Sequence, residues 1–152
     1  MQAMYEDLDL ASRKLFEDVR GSLSTGQQLE SAAAWQALAA DLAQNSERWA
    51  ALQQRYYQRH LELWTATVAR ADAAGSAAAR PAPVAVPDHG DRRFQSPEWR
   101  ELPFFDYLKQ AYLLNSRWLT EVVEAARLDA PAKRKLRFFT RQLVDAAAPA
   151  NF

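Results

Sequence analysis

The chain has 152 residues, enough for one domain or for a small domain with an extended arm. Its 19 Lys+Arg balance its 19 Asp+Glu, so the net charge is zero, which argues against bulk electrostatic binding to nucleic acid or an anionic membrane. No cysteine is present, so there are no disulfides, in keeping with a reducing cytoplasm; no apolar run approaches the ~20 residues of a membrane span.

In chain order, a first amphipathic helix is expected near residues 4–20, with Met4, Leu8, Ala11, Leu15 and Val19 on one face. The start MQAMYEDLDLA is acidic and unlike a signal peptide. GSLSTG at residues 21–26 reads as a turn. From residue 27 to 74 there is neither glycine nor proline, and large apolar residues recur every seven positions. One set is Trp35, Leu42, Trp49, Tyr56 and Leu63; the other is Leu38, Asn45, Leu52, Arg59 and Ala66. This is the seam of a coiled coil or helical hairpin, and it predicts self-association through Trp35, Leu38, Leu42, Trp49, Leu52, Tyr56 and Leu63. Asn45-Ser46 is the expected break, since Ser46 can cap a new helix before Glu47.

A second apolar line, Tyr57, Leu61, Trp64 and Val68, runs off the main seam. Either neighbouring helices surround this helix, or the line is an exposed aromatic patch for a partner or a hydrophobic granule surface. Residues 73–87, AAGSAAARPAPVAVP, read as an extended or partly disordered linker. In D-H-G-D at residues 88–91, the aspartates shape a turn around Gly90. His60 and His89 are the only histidines and lack the convergent partners that a metal site needs.

Residues 91–152 read as two helices with a short lead-in. Ser96 can cap a first turn with Pro97 at its first helical position, and Pro103 can open the next helix. Phe104, Leu108, Ala111, Trp118, Val122 and Ala125 form its apolar face; Asp106, Lys109, Gln110, Arg117, Glu121 and Glu124 fill the other side. Asp129 and Pro131 end this helix and start the last one, where Leu136, Phe139, Leu143 and Ala147 share a face until Pro149. Of the pairs Phe104-Phe105 and Phe138-Phe139, one member each can fill the core while the other meets a second surface. The basic face with Lys133, Arg134, Lys135, Arg137 and Arg141 reads as a solvated or docking face, because no aromatic stacking platform alternates with it.

DRRF at residues 91–94, Trp99, PFFDYLKQAYLL at residues 103–114, Trp118 and RFFTRQLVDAAAPANF at residues 137–152 together resemble the N-terminal region of class I poly(3-hydroxyalkanoate) synthases. Many positions agree in register over the last two fifths of the chain, whereas the first ninety or so agree only in character. In that family the chemistry belongs to a C-terminal α/β-hydrolase-type domain with a cysteine nucleophile in a G-x-C-x-G elbow, an Asp and a His. This chain has no cysteine and no such elbow, so no catalytic residue carries over, and none is assigned for a cofactor or metal.

The reading is therefore an all-α chain of four or five helices: a helical arm over residues 1–72, a linker over 73–90 and a compact two-helix unit over 91–152. The resemblance implies the non-catalytic N-terminal domain of a synthase that polymerises 3-hydroxyacyl-coenzyme A. It further implies dimer support, a cytoplasmic location at polyester granules, contact with granule-associated proteins, and stabilisation of the catalytic domain. Two alternatives are a stand-alone phasin-like granule protein or synthase subunit, and an unrelated helical interaction domain. A reading frame that continues past Phe152 into a G-x-C-x-G elbow decides for the synthase.

Overall fold

The computed structural model describes residues 6, 10, 13–15, 17–19, 21–72 and 82–151. The described residues form helices and connecting turns with no strand, an all-α fold. The helices are α1 (Thr25–Gln44), α2 (Ser46–Asp72), α3 (Glu98–Glu101), α4 (Pro103–Ala125) and α5 (Ala130–Ala146), followed by a 3-10 turn at Pro149–Asn151. They fall into two compact units, one from residues 1–45 and 123–151 and the other from 46–122. Most of the helix expected at residues 4–20 lies outside the described residues, and so do residues 73–81 of the expected linker.

In the first unit, α1 starts in a reciprocal capping box. The Gln27 amide donates to Ser24 Oγ at 3.2 Å, and the Ser24 amide donates to Gln27 Oε1 at 2.9 Å. Two amides that have no partner within the helix are thereby satisfied. The helix ends at Asn45, at the expected break, where Asn45 Nδ2 donates to the Asp41 carbonyl at 2.9 Å and its carboxylate at 3.1 Å. α5 begins at Asp129, whose carboxylate accepts from the Ala132 amide at 2.8 Å, with Pro131 in the first turn. α1 packs on α5, and Ala34, Leu38, Leu136 and Phe139 are buried. Glu124 receives both forks of Arg137, at 2.5 and 2.8 Å, and Lys133 Nζ reaches the Glu124 carbonyl at 2.6 Å.

In the second unit α2 and α4 run antiparallel and meet through large side chains. Trp118 Nε1 donates to the Leu52 carbonyl at 3.0 Å, and its ring lies 5.6 Å from Trp49 and 4.9 Å from Tyr56. Further along, His60 Nε2 and Asn115 Oδ1 lie 2.9 Å apart, Trp64 meets Tyr107 edge-on at 6.2 Å, and Arg70 pairs with Asp106 at 3.0 Å. Leu52 and Leu63 are buried.

Part of the expected linker is anchored to α4. Gln110 Oε1 accepts from the amides of Val84 at 2.8 Å and Ala85 at 3.2 Å, and Ala85 is buried. The turn at residues 88–91 forms as expected: the Asp91 amide donates to the Asp88 carbonyl at 3.0 Å, and Gly90 takes φ +90°, which favours glycine. Arg93 then bridges the Asp91 carboxylate at 2.9 Å and Tyr112 Oη at 2.6 Å, while Phe94 is buried between Trp99 and Tyr112.

Three further local expectations change. Ser96 does not cap the short α3; its hydroxyl bonds the Glu98 carboxylate, and Pro97 is already in helical conformation. α4 does open at Pro103, but Lys109 and Gln110 are buried, because the segment over them supplies polar partners. Phe104 and Phe105 are both exposed, whereas Phe139 is buried with Phe138 exposed, as expected.

Candidate functional site

Periodicity sets the geometry of α2. Residues three, four and seven apart share a helical face. Leu52, Tyr56 and Leu63 therefore turn toward α4, and the line Tyr57, Leu61, Trp64 and Val68 falls on one flank. These four are 66%, 65%, 57% and 42% exposed, so the second unit leaves them in solvent. α4 adds Phe104, also exposed, one turn before Tyr107, and Tyr107 touches Trp64. An exposed apolar face thus runs across both helices, a feature that marks interaction surfaces. Spacing alone puts Phe104 on the apolar face of α4; its place at the first turn of that helix leaves it exposed.

The seam residues are distributed differently. Leu38, Leu52 and Leu63 are buried, while Trp35, Leu42, Trp49 and Tyr56 are half-buried. Burial pushes the Tyr56 phenol above its ordinary value, with smaller contributions from Tyr57 and Tyr107.

A buried polar cluster was not anticipated from the sequence. Asp106 accepts from Arg70 Nη1 at 3.0 Å, Gln110 Nε2 at 2.9 Å and Lys109 Nζ at 3.0 Å. Lys109, only 5% exposed, also reaches the Trp99 carbonyl at 3.1 Å, and Arg70 Nη2 caps the carbonyls of Arg100 at 2.8 Å and Glu101 at 3.0 Å. A cavity of about 240 Å³ lies beside it, lined by Leu63, Ala85 and Phe94 among others. Every charge here has a partner, so the cluster ties the ends of α2 and α4 to the turn around α3. Its sequence signal is the spacing of Asp106 and Gln110, one helical turn apart.

Among the described residues no group of three or more His, Asp or Glu side chains could hold a metal ion. Among them, too, no helix is long and apolar enough to cross a membrane.

Comparison with known proteins fits this region of the chain. Residues 90–152 match the family described as the poly-beta-hydroxybutyrate polymerase N-terminus. A poly(3-hydroxyalkanoate) polymerase from Methylorubrum extorquens is 34% identical over 151 residues, covering 93% of this chain and 24% of that protein. The polymerase subunit from Rhizobium meliloti is 34% identical over 119 residues, 73% of this chain and 19% of that protein. The one from Cupriavidus necator is 38% identical over 102 residues, 66% of this chain and 15% of that protein. The chain thus spans a quarter or less of the length of these relatives. No solved structure matches it. The helices α3, α4 and α5, with the segment that leads into them, belong to the poly-beta-hydroxybutyrate polymerase N-terminus family.

Proposed function

We propose that this chain is the non-catalytic N-terminal helical region of a poly(3-hydroxyalkanoate) polymerase, and that its exposed apolar face meets polyester or the proteins that coat it. The observation that carries this reading is the match of residues 90–152 to the polymerase N-terminus, in a chain alignable to a polymerase over 93% of its length. The polymerising chemistry is assigned to the part of those longer proteins beyond this alignment, because this chain has no cysteine to act as nucleophile. The partners proposed are that catalytic part, a second copy of the chain, the granule surface and granule-associated proteins; the location proposed is the cytoplasm at granules. Self-association is assigned, within the first unit, to the half-buried Trp35 and Leu42, since Leu38 is already covered there and Trp49, Leu52, Tyr56 and Leu63 pack toward α4 in the second unit.

The surface Tyr57, Leu61, Trp64 and Val68 suits a half-wet, half-apolar boundary. A fluorescent fusion of the chain is expected to collect on granules in polyester-producing cells. Leu61→Ser with Trp64→Ser should release it while helix content, read by circular dichroism, stays near that of the parent, because both side chains are mostly exposed. Unchanged localisation would remove these residues from the contact.

A further inference from the structure

The flank of α2 opposite the apolar face is cationic. Arg55 and Arg59 stand one turn apart, and the contacts Arg55–Glu121, Tyr56–Trp118 and His60–Asn115 fix a register in which Arg59 faces Arg117 of α4. These side chains line a groove of about 120 Å³ floored by Tyr56 and Trp118. Its lining holds three guanidinium groups, Arg55, Arg59 and Arg117, and one carboxylate, Glu121, a surplus of two positive charges (3 − 1 = 2). Glu121 lies 3.6 Å from Arg55. Arg117 Nη2 donates to the Val86 carbonyl and reaches Asp88 at 3.4 Å, and Asp88 is 91% exposed and outside the lining. Arg59 has no hydrogen-bond or ion-pair partner among the described residues.

Two arginines on opposite walls with one left unpaired repel each other unless an anion lies between them. We propose that this groove binds the phosphoryl group of a phosphate monoester. Guanidinium forks match the oxygens of a phosphate, and a monoester carries about −1.5 to −2 at neutral pH, close to the groove's surplus. The groove takes a single anionic group and not a polyanionic chain, because the same flank of α2 continues, seven residues after Arg55, with the acidic Glu62. A soluble molecule and a lipid headgroup that carry such a monoester present the same chemistry to the groove.

The test is a nuclear magnetic resonance titration of the full chain with glycerol 2-phosphate, against sodium chloride at matched ionic strength. The result expected is a saturable shift of backbone amides at residues 55–60 and 114–121 and of the Trp118 indole. Arg59→Gln should weaken it roughly tenfold or more, Arg59→Lys less, and Arg127→Gln, an exposed position in the other unit, not at all. Arg59→Gln removes no hydrogen bond or ion pair among the described residues, so the fold should be preserved, as circular dichroism checks. In a parallel arm, vesicles of phosphatidylcholine with phosphatidic acid are sedimented with the chain. Arg59-dependent binding there, without a response to the soluble ester, identifies a lipid source; the reverse identifies a soluble one. Shifts that merely track ionic strength overturn the proposal. So does saturable binding indifferent to both Arg59→Gln and Arg117→Gln, or an acidic peptide or oligonucleotide that binds where neither phosphate probe does.

Discussion

Arg93 shows how one side chain organises the segment that leads into α3. Its guanidinium holds the Asp91 carboxylate, packs over the rings of Phe94 and Tyr112, and donates to the Tyr112 hydroxyl. The hydrogen bond from Arg93 pulls the Asp91 carboxyl below its ordinary value of 3.8, and Asp91 in turn holds the Arg93 guanidinium above its own. A carboxyl lowered in the folded state contributes stability above its unfolded pKa and loses it as pH falls through the folded one. Acidification from pH 5 to below 3.8 should therefore loosen residues 82–95 before the helices melt, read as amide exchange at Val84 and Ala85. Asp91→Asn should abolish that pH dependence. Gln110 is the second anchor of the same segment. Gln110→Leu leaves two amides and the Asp106 carboxylate short of a partner, and unfolding in urea should show a loss of about 1–3 kcal/mol.

At the scale of elements, local chemistry was legible where a helix end is decided by its own residues. The break at Asn45, the opening at Pro103 and the cap at Asp129 follow from side chains that satisfy or spare nearby backbone groups. Asp129→Ala should cost about 1 kcal/mol through the lost bond to the Ala132 amide, seen as a lower melting temperature. Periodicity also separated the two faces of α2, and Tyr57, Leu61, Trp64 and Val68 are exposed on one of them. Tertiary partners were not legible. Lys109 and Gln110 look like solvent-facing residues in a helical pattern, yet the chain around residues 84–99 covers them, and no spacing within α4 reveals that. The cationic groove was hidden for the same reason: Arg117 and Arg59 lie 58 residues apart (117 − 59) and meet only through the register of α2 on α4. The aromatic contact that sets this register is testable. Trp118→Leu removes the indole bond to the Leu52 carbonyl and two ring contacts, and should cost about 2–4 kcal/mol, measured by denaturant unfolding.

For the whole molecule, each of two compact units has its own buried core, and within the second the apolar face of α2 and the first turn of α4 are exposed. Such surface is costly to keep in water, at ~25 cal/mol per Å² of apolar area, and it calls for a partner. Membership of residues 90–152 in the polymerase N-terminus family names the class of protein in which that partner is sought. If the polymerase reading is right, joining this chain to the catalytic part of a related polymerase deprived of its own N-terminal region should restore function. The decisive measurement is polyester per cell, by gas chromatography, in a producer strain that carries the joined protein. The account predicts accumulation well above that of the catalytic part alone, falling back when Leu61 and Trp64 are both replaced by Ser. Accumulation no higher than that of the catalytic part alone, with the joined protein soluble and present at equal level, would contradict it.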